Sequence, residues 1–130
     1  MLVIDDDDLV RAGFSAFLAG LGLRPIECTG IDGLDGLAQA ERDTVCAVVT
    51  DFRFRQPPSG TDALVRVRQA FPVLPVIVLT GDTSDEPRHA AALIDAVLHH
   101  KPVRVTPMID ALMAAYYGFV AGGGAAGTGG

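Results

Sequence analysis

Residues 45–51 read Val45-Cys46-Ala47-Val48-Val49-Thr50-Asp51. The apolar run from Val45 to Val49 ends abruptly in a polar pair, and an Arg- and Pro-rich loop separates it from a helical pattern that opens at Thr61. A short continuous apolar run bounded in this way predicts a strand, Val45 to Thr50, buried on both faces of a parallel sheet. Asp51 then stands at the carboxyl edge of that sheet, where open α/β folds gather their chemistry.

The same alternation extends on both sides. Leu2-Val3-Ile4 predicts a first strand, closed by Asp5-Asp6-Asp7-Asp8. Asp7 or Asp8 caps a first helix, whose Val10, Phe14, Phe17, Leu18 and Leu21 recur at helical spacing, and Gly22 stops it. Leu23 to Cys28 predicts a second strand, placed at an edge by Pro25. Residues 31–42 predict a weak second helix on Leu34, Leu37, Ala38 and Glu41, disfavoured by Gly33 and Gly36. A third helix runs from Thr61 to Phe71 with Leu64, Val67 and Phe71 inward. Val76 to Leu79 is a fourth strand ending at Thr80, and Ser84 caps a fourth helix that carries Asp85, Glu86 and Pro87 in its first turn. Ala96 to Leu98 is a fifth strand leading into His99-His100-Lys101-Pro102. Thr106-Pro107 opens a fifth helix on Ile109, Leu112, Met113 and Tyr116. Strand then helix, five times over, predicts a (βα)5 doubly wound parallel sheet with right-handed crossovers. The fold is expected to occupy residues 1–117, and the Gly- and Ala-rich residues 118–130 to form a disordered tail.

Composition narrows the function. The chain has 130 residues, 49% of them hydrophobic, which fits one domain with a substantial core. It contains no apolar run long enough to span a bilayer, and acids interrupt its opening residues, so a soluble cytoplasmic domain without membrane contact is expected. A net charge of -6 opposes nucleic-acid binding, which needs a basic face, and suits a domain that holds a cation or meets a basic partner. Cys28 and Cys46 fall in strand-like runs and read as reduced, packed thiols; no further Cys completes a zinc set.

Parallel strands bring Asp5-Asp6, Asp51, Thr80 and Lys101 to one sheet edge. Three carboxylates brought together repel one another, and a hard divalent cation relieves this. Oxygen-only ligands favour Mg²⁺. Lys101 opposite the metal balances the remaining charge, and a phosphoryl group between the two would be well held. A carboxylate in that position can act as a nucleophile and become an acyl phosphate.

With Asp5-Asp6 after the first strand, Asp51 after the third, Thr80-Gly81 after the fourth and Lys101-Pro102 after the fifth, the chain resembles the response-regulator receiver domain of two-component signalling. The resemblance spans residues 1–117 and implies a CheY-like, flavodoxin-like strand order, 2-1-3-4-5. It implies that Asp51 accepts phosphoryl from the phosphohistidine of a histidine kinase or phosphotransfer domain. Asp6 and Asp51 would ligate Mg²⁺ directly, Asp5 mainly through water, and the backbone carbonyl of Arg53 would add a ligand. Lys101 would bind the phosphoryl group, the Thr80 hydroxyl would swing toward it, and Gly81 would offer room and its N–H. The Lys101–Pro102 bond would be cis. Three positions depart from the family pattern: Leu98 stands where an aromatic switch is usual, Arg55 where Pro is common, and Asp95 near a usual glycine. The phrases Leu79-Thr80-Gly81-Asp82-Thr83 and Leu98-His99-His100-Lys101-Pro102 are similar to receivers at the C-terminal end of hybrid sensor kinases.

Plainer readings stand beside these. Asp7 and Asp8 read as a solvated helix start. Thr80 alone could cap a turn, and Lys101 alone could be a surface cation. His99 and His100, adjacent on a strand, point to opposite faces and cannot share one site, and His89 reads as a solvated helix residue. Arg53 and Arg55 are either surface charge or groups that attract a phosphorylated partner or tune water access. Leu93-Ile94 and Val97-Leu98 read mainly as core, with a homodimer or partner surface through the fourth helix, fifth strand and fifth helix as the alternative. Two other functions compete with the phosphoacceptor module, which is not an enzyme acting on a separate substrate. One is a Mg²⁺-dependent aspartyl phosphohydrolase, which would want an acid where Arg53 stands; the other is a degenerate receiver that only binds.

Overall fold

The structure, a computed structural model, describes residues 1–101. The expected fifth helix, the Lys101–Pro102 bond and the 118–130 tail lie outside the described residues. Five strands, β1 (Leu2–Ile4), β2 (Ile26–Cys28), β3 (Val48–Asp51), β4 (Val76–Thr80) and β5 (Val97–His100), form one parallel sheet in the order β2-β1-β3-β4-β5. Between them lie α1 (Asp8–Gly20), a 3₁₀ turn (Ile31–Leu34), α2 (Gln39–Thr44), α3 (Thr61–Ala70) and α4 (Glu86–Leu93).

Strand side chains alternate between two buried layers, as the period of two requires. Leu2, Ile4, Val48, Val76 and Val78 face a core completed by Ile31, Leu34, Phe52, Leu64, Val67, Ala90 and Ala91. Met1, Val3, Val49, Ile77 and Leu79 face the other side, with Leu18 and the partly buried Phe14 of α1. The sheet is thus covered on both faces, which explains why β3 and β4 read as continuous apolar runs.

Two helix ends share one device. After α1, the Gly22 amide donates to Ala19 and Leu23 to Leu18, with Gly22 at φ 82°. After α4, the Asp95 amide donates to Ala92 and Ala96 to Ala91, with Asp95 at φ 56°. Both are Schellman closures, whose left-handed residue is usually glycine. Asp95 therefore occupies the conformation that makes glycine common near this place.

Several expectations are corrected. The expected second helix is split into the 3₁₀ turn and α2, because Gly33 and Gly36 break the run. Gly33 also lies against Cys28, where an added Cβ would come within 3.1 Å of its Sγ. Strands β2 and β3 begin later than expected; Val45 closes α2, although it is buried. Strand β5 runs on through His100. On α1, Val10, Phe17 and Leu21 are exposed and Leu18 carries the burial, so the buried stripe is narrower than its apolar periodicity suggests. Ser84 is not the cap of α4; Asp85 is, with no side-chain bond, and the Ser84 amide donates to Asp82 Oδ1. Ile94 is buried in the core, but Leu93 and Val97 are exposed.

Candidate functional site

The carboxyl ends of β1, β3, β4 and β5 meet at one edge, because all the strands are parallel and their registers align. Asp5 directly follows β1 and its side chain is only 5% exposed. Its Oδ1 accepts from the Asp7 amide at 2.8 Å, and its carbonyl accepts from Arg11 Nη1 at 2.8 Å. Asp7 caps α1 by accepting from the Leu9 and Val10 amides, so the start of that helix fixes the acidic turn. Asp51 ends β3, and its Oδ1 accepts from the Phe52 amide at 2.7 Å. One oxygen from each of Asp5, Asp6 and Asp51 lies within 4.8 Å of the others.

Lys101 enters from the end of β5. Its amide donates to the Thr80 carbonyl at 2.7 Å, which extends the β4–β5 pairing and aims the side chain across the edge. Its Nζ lies 3.2 Å from Asp51 Oδ2 and 3.8 Å from Asp5 Oδ2. The structure thus brings together four of the sequence-predicted residues. Thr80 is buried beside them, with its Oγ1 accepting from the Asp82 amide at 3.0 Å. Gly81 is exposed, and a Cβ there would meet nothing within 4 Å.

Charge is unevenly balanced in this cluster. Burial pushes the Asp5 carboxyl above its ordinary range, and the nearby Asp51 and Asp6 charges add to the rise; the Asp7 amide and Lys101 oppose it. One ammonium and, at the rim, the Arg55 guanidinium face three carboxylates. An oxygen-only set that is partly buried and under-neutralised fits a hard divalent cation. Asp5, Asp6 and Asp51 are the residues that would hold such an ion.

The two arginines of the following loop are expected to be surface charge or groups that attract a phosphorylated partner or tune water access, with the Arg53 carbonyl as a metal ligand. The structure turns both guanidinium groups onto acids. Phe52 and Phe54 are buried, so the alternating Arg53 and Arg55 are held outward at the rim of the acidic pocket. Arg53 donates to Asp82 Oδ2 and, at 2.6 Å, to Glu86 Oε1. It thereby links the β3–α3 loop to the start of α4. Arg55 sits on Asp6: its amide donates to Oδ2 at 2.8 Å, its Nε lies 3.4 Å from the same oxygen, and its Nη2 donates to the Asp6 carbonyl at 2.9 Å. Alternation of Phe and Arg after Asp51 was an available signal for the outward direction of the two arginines, though not for their partners. His99 and His100 make no contact with the acids among the hydrogen bonds and ion pairs of the described residues.

Residues 1–112 match the family described as response regulator receiver domain. The chain belongs to that family. As a receiver domain of two-component signalling, it is a signalling module rather than a conventional enzyme. Among solved structures, it is similar to the receiver domain of NtrX from Brucella abortus, at 22% identity and a TM-score of 0.76, covering 89% of this chain and 97% of that one. It is also similar to a response regulator receiver protein from Sinorhizobium medicae, at 24% identity and a TM-score of 0.73, covering 89% and 92%. The chemotaxis protein CheY4 from Vibrio cholerae matches at 19% identity and a TM-score of 0.72, covering 88% and 95%. At these identities the likeness is one of fold. A comparison with curated proteins finds no match. Among the described residues, no helix is long and apolar enough to cross a membrane.

Proposed function

We propose that Asp51 is the phosphoacceptor of this receiver, taking a phosphoryl group from the phosphohistidine of a histidine kinase or phosphotransfer domain in the cytoplasm. An Asp51 carboxylate oxygen forms the new O–P bond as the N–P bond of the donor breaks. The electron pair returns to the imidazole, which takes up a proton. Asp5, Asp6, Asp51 and the Arg53 carbonyl would hold Mg²⁺, which when bound neutralises charge on the acids and on the transferred group. Lys101 exchanges its contact with Asp51 for the phosphoryl oxygens.

Thr80 reads out the change. Its hydroxyl gives up the Asp82 amide and donates to the phosphoryl group, and Gly81 offers its N–H there. Asp82 is tied through Arg53 to Glu86, so movement of Thr80 is felt at α4. The exposed Leu93 and Val97 would present that change to a partner or to a second copy.

What carries this reading is the meeting of three carboxylates within 4.8 Å with one lysine amine between two of them. A phosphohydrolase is less well supported: Arg53 occupies the place of its acid/base group, and its guanidinium is paired with Asp82 and Glu86. Beryllofluoride, a mimic of the acyl phosphate, tests the proposal. With Mg²⁺ it should shift the amide resonances of Thr80, Gly81 and Asp82 in wild type and leave Asp51→Asn unchanged. Absence of any Mg²⁺-dependent shift in wild type would contradict it.

A further inference from the structure

We infer that Arg55 is a resident counter-cation on Asp6 that competes with the divalent metal, so that this receiver binds metal more weakly than its three acids alone would allow. The inference rests on the acids being the metal site proposed above.

Asp5 and Asp51 share Lys101, whereas Asp6 is paired with Arg55 through both its carboxylate and its carbonyl. Three negative charges thus face two positive ones before any metal enters. Without the guanidinium the cluster would be one charge more negative and would attract a divalent ion more strongly. The buried Phe54, whose amide donates to Ser59 Oγ at 2.8 Å, anchors the loop and keeps Arg55 over Asp6. The Arg55 side chain is itself 75% exposed and its Nε contact is 3.4 Å. The pair is therefore loose and open to solvent, which lets the guanidinium yield to a metal and keeps the effect modest. Arg55 is accordingly a positioning residue. Its backbone N–H supports Asp6 whatever side chain it carries, and its charge opposes the ion.

The test is direct metal binding: Mg²⁺ by titration calorimetry and Mn²⁺ by electron paramagnetic resonance, on wild type, Arg55→Gln and Arg55→Lys. Gln keeps the length and polarity but removes the charge; Lys keeps the charge. Arg55→Gln should bind about two- to fivefold tighter at low salt, the range that a largely exposed ion pair supports. Arg55→Lys should stay near wild type. The gain should shrink at about 0.5 M NaCl, where exposed charges are screened, whereas a packing effect would persist. Thermal unfolding confirms that each variant is folded. Equal or weaker binding by Arg55→Gln, beside a measurable wild-type affinity, would overturn the role of Arg55 and leave the metal site standing. Failure of all three proteins to bind would overturn the metal site and the inference with it.

Discussion

The Lys101 amine stands 3.2 Å from Oδ2 of Asp51 and 3.8 Å from Oδ2 of Asp5, so one ammonium serves two carboxylates from different strands. Removing it leaves two buried acids without that partner and gives an incoming phosphoryl group no fixed cation. Lys101→Ala should slow phosphoryl uptake from acetyl phosphate by about 10²-fold, the usual cost of losing one transition-state charge contact. Mg²⁺ affinity should hold or rise, because a competing positive charge is gone. Rates of phosphorylation and calorimetric Mg²⁺ titration, taken together, check both halves.

Asp5 links stability to pH. Its carboxyl lies above the ordinary value of 3.8 in the fold, chiefly through burial. Between the unfolded and folded values the native state binds more protons than the unfolded chain. The stability contributed is therefore full below the unfolded value and is lost as pH rises through the folded one. Near neutral pH the ionised Asp5 is a net cost to the metal-free fold. Asp5→Asn keeps an oxygen for the Asp7 amide, and should stabilise the metal-free protein by about 1 kcal/mol at pH 7. Added Mg²⁺ should raise the Tm of wild type by more than that of the variant, which keeps Asp6 and Asp51. Thermal unfolding with and without Mg²⁺ measures both effects.

Arg53 joins Asp82 and Glu86 at the rim. The Asp82 carboxyl is held down to about 2, first by the Ser84 hydroxyl and amide and then by Arg53. A depressed value contributes stability that is present above the unfolded pKa and lost as pH falls through the folded one. Arg53→Ala should raise the Asp82 titration midpoint without restoring it to 3.8, since the Ser84 contacts remain. Carboxyl carbon NMR follows that midpoint. The same variant should loosen the β4–α4 loop, read as faster hydrogen exchange at the Asp82 and Ser84 amides.

Asp95 carries a strained conformation at the end of α4, at φ 56°. Asp95→Gly relieves the left-handed penalty and gives back part of it in chain entropy, for a net stabilisation of about 0.5–1 kcal/mol. Asp95→Val should destabilise by about 1–2 kcal/mol, because a β-branched side chain suits that region least. Urea unfolding of the three proteins orders them Gly, Asp, Val.

The layered sheet was legible because β3 and β4 are buried on both faces, and their apolar runs leave no competing pattern. Asp5, Asp6, Asp51 and Lys101 were legible as a group because parallel strands send every carboxyl end to one edge. The split of the second helix was foreshadowed by Gly33 and Gly36, but propensity alone does not place a break. The exposure of Val10, Phe17 and Leu21 was hidden, because periodicity reports which residues share a face and not how much of that face is covered. The arginine contacts were hidden for a different reason. They depend on which loop lies across which, and nothing local to Arg53 or Arg55 names Asp82 or Asp6 as a partner.

Intact-protein mass spectrometry after incubation with phosphoramidate and Mg²⁺ decides whether Asp51 is the phosphoacceptor. Wild type should gain the mass of one phosphoryl group, and Asp51→Asn should gain none. Equal labelling of Asp51→Asn, or no labelling of wild type, would contradict Asp51 as the phosphoacceptor.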